Sequence, residues 1–96
     1  IPLPSARVVA GSVNESIDAA TTAVARAEID GGILLCATPV AASCRANRRE
    51  CLRAVPIRDV GEVRQSQREL EVNLYCFDPT NKAYYELRRL LHSMME

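Results

Sequence analysis

The chain is poor in the residue types that build most active sites. It has one histidine, His92, and one lysine, Lys82, among 96 residues. A histidine serving as general base or metal ligand wants a carboxylate or cysteine partner. His92 has only Glu96 one helical turn away, and its place near a helix end suits a favourable charge–dipole interaction. Glycine is scarce, and Gly31-Gly32 lacks the later glycine and lysine of a phosphate loop. There is no G-x-S-x-G, so nothing activates Ser43, Cys44 or Cys51 as a nucleophile. The uninterrupted apolar run of about 18 residues needed for a membrane-spanning helix is absent. So is a net charge: 12 Lys and Arg balance 12 Asp and Glu. That balance excludes the general attraction to phosphate backbones on which nucleic-acid binders rely. Together these absences predict a non-catalytic protein with no cofactor, no metal and no small-molecule substrate.

Four cysteines are present, Cys36, Cys44, Cys51 and Cys76, separated by 8, 7 and 25 residues. Zinc sites want pairs about two to four residues apart, so the spacing fits none. An even count allows disulfides. Each cysteine also sits in an apolar or strand-like stretch, where a reduced thiol behaves as a small buried hydrophobe. The reduced reading favours an intracellular protein. Arginine supplies eleven of the twelve basic residues, a bias that a GC-rich genome would produce. The absence of a leading methionine suggests a single domain, residues 1–96, excised from a larger protein.

The clearest pattern in the chain lies at 68–95. Leu70, Val72, Leu74 and Cys76 alternate with Glu71, Asn73, Tyr75 and Phe77, which predicts a strand. Asp78 and Pro79 then suit an N-cap and a first helical position. Tyr84, Leu87, Leu90, Leu91 and Met94 recur at helical spacing, which predicts a helix running to Met95.

Upstream, Ala6–Ala10 reads as a short strand or a turn of helix. Ser12 with Glu15 forms a capping-box pattern, opening a helix to about Glu28 that Asp30-Gly31-Gly32 stops. Ile33–Ala37 reads as a buried strand. Ala41–Ala46 reads as either a strand or a helical turn, and Asn47–Arg49 as a polar turn. Glu50–Ile57 reads as a strand with Pro56 at an edge or end. Asp59–Val63 reads as a turn with a short strand. Strands joined by short loops predict a small antiparallel α+β domain.

The segment Val55–Val63, with Ile57, Asp59, Val60 and Val63 in place, followed by the strand to Phe77 and the terminal helix, resembles the C-terminal half of a pleckstrin-homology domain. Gly32–Ala37 is similar to that family's first strand. The resemblance covers about two-thirds of the chain and implies a partly open barrel closed by the last helix. The chain shows fewer strands than that family and an added N-terminal helix. Its residues Cys36–Ala42 are uncharged where lipid-binding members carry basic side chains, with only Arg45 to stand in. The resemblance therefore implies a protein-binding member. A ferredoxin-like β-α-β-β-α arrangement is the alternative, and uses the first helix more naturally.

The function expected from this reading is a protein-interaction or self-assembly scaffold, with a protein partner or a second copy of itself. Tyr75 and Phe77 form an exposed aromatic patch if the first helix leaves that strand face bare, and ordinary core if it covers it. Arg45, Arg48, Arg49, Arg53 and Arg58 read either as a solvated hairpin or as an anion site, since the guanidinium fork suits phosphate or carboxylate. The second reading makes anionic-lipid binding at the membrane periphery the alternative function.

Overall fold

The computed structural model describes residues 12–27, 31–80 and 82–95. The expected short strand at Ala6–Ala10 lies outside them. Seven elements follow in order: α1 Val13–Ala25, β1 Gly32–Leu35, α2 Pro39–Ala46, β2 Ala54–Pro56, α3 Val60–Glu69, β3 Leu74–Phe77 and α4 Tyr84–Met95. The three strands form one sheet in the order β1-β3-β2, and both pairings are parallel. Neither the antiparallel, pleckstrin-homology-like barrel nor the ferredoxin-like alternative is present.

The physical reason lies in two segments. Ala41–Ala46, open between strand and helix in the sequence, belongs to α2. Asp59–Val63, expected as a turn and short strand, is the start of α3, where the Asp59 carboxylate accepts the Glu62 N–H at 2.8 Å. With helices in both gaps, each strand is carried back to the starting edge of the sheet before the next begins, and the neighbours must then be parallel. The expected strand Glu50–Ile57 shrinks to three residues, with Pro56 last on an edge strand, where its missing N–H costs least.

The sheet is covered on both faces, and the period-two alternation of its strands divides the side chains between them. Leu34, Ala54, Leu74 and Cys76 point to one face, where Ile17 of α1 and Ala42 and Ala46 of α2 meet them. Tyr75 and Phe77, with Ile33 and Val55, point to the other, against Val63 of α3 and Leu90 and Met94 of α4. The terminal helix thus packs on its own sheet. β3, between its neighbours and under helices on both sides, is buried at every position.

Connection direction explains which helix lies where. The chain moves from β1 across to β2 with α2 on one face, then reverses to insert β3 with α3 on the other. Reversing direction while keeping a right-handed crossover requires that change of face.

α1 starts as expected, with the Ser12 hydroxyl accepting the Glu15 N–H at 3.2 Å. It ends at Ala25, and Ala27 adopts φ 57° just beyond it. Asp78 does not cap the last helix. Its carboxylate accepts the Thr80 N–H at 2.9 Å in a tight turn, and α4 begins only at Tyr84.

Candidate active site

In an open parallel sheet, ligands bind outside the carboxyl ends of the strands, where neighbouring connections leave to opposite faces. Among the described residues that condition is met once, between β1 and β3. From β1 the chain leaves through Cys36, Ala37 and Thr38 to α2 on one face. From β3 it leaves through Asp78, Pro79 and Thr80 toward α4 on the other. The crevice between the two connections is the candidate site.

Its floor is held by the Cys36 N–H, which donates to the Phe77 carbonyl at 3.0 Å. The Cys36 side chain is half-buried and packs against the cluster that contains Cys76. Thr38 precedes α2, and its hydroxyl makes no capping bond. Pro39 opens the helix and brings no N–H, while the N–H groups of Val40 and Ala41 have no partner within the helix. On the opposite wall, hydrogen bonds from the Thr80 side chain and backbone hold the Asp78 carboxyl below the usual carboxylate range, with Lys82 adding a smaller push in the same direction.

Next to the crevice, α3 and α4 enclose a cleft of about 280 Å³ walled by Arg58, Asp59, Gly61, Lys82, Glu86 and Arg89. The Lys82 ammonium donates to the Arg58 carbonyl at 2.7 Å. Arg58 itself pairs with Glu62 at 3.2 Å.

The residues singled out by sequence are scattered by this fold. Arg45 lies on α2 and Arg48 and Arg49 just after it, lining a groove against α1. There Arg49 pairs with Asp18 at 2.6 Å, and Arg45 reaches the Asn14 amide oxygen at 3.4 Å. Arg53 bonds the Glu71 carbonyl ahead of β3. Only Arg58 sits near the candidate site. No hairpin joins the five. Tyr75 and Phe77 are each 1 % exposed, covered by α3 and α4, so they present no surface patch. All four cysteines are free, and Cys44 is the exposed one. Cys36, Thr38 and Asp78, which border this crevice, are not among the residues the sequence singles out. Their signal was positional: each follows a buried apolar strand and precedes a helix.

Residues 12–90 match the ribose/galactose isomerase family. The chain belongs to that family. It is 41% identical over 56 residues to the galactose-6-phosphate isomerase subunit LacB of Clostridium acetobutylicum, a match covering 58% of this chain and 32% of that protein. Among solved structures, it superimposes on a ribose 5-phosphate isomerase of Thermotoga maritima with a TM-score of 0.79 at 18% identity, covering 92% of this chain and 61% of the other. The type B ribose 5-phosphate isomerase of Leishmania infantum gives a TM-score of 0.79 at 20% identity, covering 91% and 57%. The chain therefore spans about a third of the curated relative and about three-fifths of the solved ones.

These findings overturn the scaffold and membrane-binding functions, the pleckstrin-homology resemblance and the expectation of a non-enzyme without a small-molecule substrate. The relatives are isomerases that act on small molecules. No helix among the described residues is long and apolar enough to cross a membrane.

Proposed function

We propose that this chain supplies the crevice of an aldose–ketose isomerase acting on a pentose or hexose phosphate. The observation that supports this best is that residues 12–90, the span matched to the isomerase family, contain both connections of the switch point, with Cys36 at its mouth.

Such a reaction moves one proton between adjacent carbons of the open-chain sugar and a second between the two oxygens they bear. It needs a group that takes the carbon-bound proton and returns it next door, and donors for the enediolate oxygen in between. In this reading the Cys36 sulfur carries the carbon-bound proton. The N–H groups of Val40 and Ala41 and the Thr38 hydroxyl face the developing oxygen charge. Asp78, held ionised by its Thr80 bonds, orients sugar hydroxyls. The chain spans 61% of the Thermotoga maritima relative, so the assay belongs on the whole protein.

The test is steady-state isomerisation of ribose 5-phosphate and galactose 6-phosphate by the parent and by Cys36→Ser. Turnover of at least one substrate, falling by about 100-fold or more in the variant, is expected for loss of a proton-transfer group. No turnover by the parent, or full activity in Cys36→Ser, refutes the assignment. A cytoplasmic location goes with this reading, because sugar phosphates are charged and four unpaired cysteines suit a reducing compartment. Recovery of the protein in a secreted or periplasmic fraction would count against it.

A further inference from the structure

We infer that Ser43 is a positioning residue for the isomerisation: its hydroxyl fixes and polarises the peptide whose N–H, that of Ala41, meets the enediolate oxygen. The inference rests on the isomerase reading for the identity of the charge that this N–H meets. Ser43 lies in α2 and is 5 % exposed. Its hydroxyl donates to the Val40 carbonyl at 2.9 Å. That carbonyl belongs to the same peptide unit as the Ala41 N–H, because the carbonyl of one residue and the nitrogen of the next share one plane. A hydrogen bond to the oxygen of an amide draws charge from its nitrogen and strengthens the N–H as a donor.

The other residues that α2 buries are Ala42 and Ala46, so its inner face is built from small apolar side chains. Alanine would fill the place of Ser43, is the better helix former and brings no hydroxyl to bury. Ser66 of α3 and Ser93 of α4 are bonded in the same way, to the Val63 carbonyl at 2.9 Å and the Leu90 carbonyl at 2.6 Å. Those acceptors stand four and seven residues into their helices, so the N–H groups of the same peptides are used inside the helix. Val40 is the second residue of α2, and the Ala41 N–H has no partner within the helix. The next N–H along, that of Ala42, is taken by the Thr38 carbonyl at 2.9 Å. Of these three serines, only Ser43 acts on a peptide whose N–H is left over.

Ser43 acts without touching substrate. It is buried, while Val40 and Ala41 are exposed. Pro39 opens the helix and supplies no N–H, so the first turn offers two donors where another residue would give three, and the strength of each counts for more. Removing a whole oxyanion donor costs about 100- to 1000-fold in kcat. Weakening one by the roughly 10–30% that cooperativity contributes to a bond scales that cost down to about 2- to 8-fold.

The experiment uses the whole protein, with ribose 5-phosphate and galactose 6-phosphate as substrates. A phosphorylated four-carbon hydroxamate, whose planar N–C unit stands for the two reacting carbons, serves as mimic of the pentose enediolate. Ser43→Ala is expected to lower kcat by about 2- to 8-fold with KM unchanged. It is expected to weaken the hydroxamate by the same factor, since both read the developing charge, and to leave the urea midpoint unchanged or raised. Ser66→Ala, which removes the matching bond from α3, is expected to keep the parent kcat. Parent kcat and parent hydroxamate affinity in Ser43→Ala overturn the role of Ser43 while leaving the isomerase reading intact. So does a fall in kcat that comes with a lowered urea midpoint, or that Ser66→Ala reproduces, because either marks a merely structural serine. If the parent turns over neither sugar, the isomerase reading fails. The role of Ser43 then stands only if the hydroxamate shifts the Ala41 amide proton of the parent and shifts it less in Ser43→Ala; without that difference it falls too.

Discussion

Asn73 shows how one side chain fixes the start of the sheet. It is 4 % exposed, and its amide oxygen accepts the Arg53 N–H at 2.6 Å while its nitrogen donates to the Cys51 carbonyl at 2.7 Å. Its backbone carbonyl accepts the Gly32 N–H at 2.8 Å, so one residue ties the entry of β3 to both neighbouring strands. Asn47 does the same for the far edge of β2, bonding both the N–H and the carbonyl of Ala54. Asn73→Ala leaves a buried donor and acceptor unpaired, and should cost about 2–4 kcal/mol in urea unfolding; a cost under about 0.5 kcal/mol would show that water replaces the amide. Cys76 is a second residue with a measurable signature. Burial, with a smaller contribution from Cys36, pushes its thiol from 9.0 up to about 12. Because the folded value is raised, the stability it contributes is complete below pH 9 and lost as pH climbs from there toward 12. Alkylation at pH 8.5 should label Cys44 rapidly and leave Cys76 unmodified while the protein is folded. Neither asparagine announces itself in a single sequence, because a buried amide and a turn amide are written with the same letter.

At the scale of elements, legibility followed apolar density. β1 is visible as an apolar run, β3 through an alternation of which only Leu74–Phe77 is strand while Leu70 caps the end of α3, α1 through its capping pattern, and α4 through its helical apolar spacing. The helices between the strands are not. α2 is built from small residues, and its buried contacts are Ala42, Ser43 and Ala46, too little side chain to show a period. α3 is polar along its length, with Val63 alone fully buried. A helix held by a buried Val63, a half-buried Val60, a Gln67 bond to α4 and an Asp59 cap carries no strong pattern, and the missing helices turn a parallel α/β order into an apparent antiparallel one. The candidate site went unseen for the same reason: a switch point exists only once the connections are known to be helices on opposite faces. The energetic counterpart is testable. α3 should open first among the elements that flank β3, so its amides should exchange with deuterium well before those of Tyr75–Phe77. Protection of α3 equal to that of β3 would contradict this ranking.

For the whole molecule, two hydrophobic clusters share one sheet, and β3 contributes to both: Leu74 and Cys76 to one, Tyr75 and Phe77 to the other. We therefore propose that the chain is a single folding unit. Urea unfolding followed by far-ultraviolet circular dichroism and by tyrosine fluorescence should give coincident transitions; separated midpoints would mean the two faces melt independently. The same sheet positions the proposed site, since its parallel strands gather their carboxyl ends on one side. The most direct test of that is amide chemical-shift mapping of the whole protein during titration with ribose 5-phosphate. Shifts concentrated at Cys36–Thr38, Val40, Ala41, Asp78, Thr80 and Lys82 are expected. Shifts at the opposite edge, around Gly32, Arg53 and Asn73, or none at saturating sugar phosphate, would contradict the account.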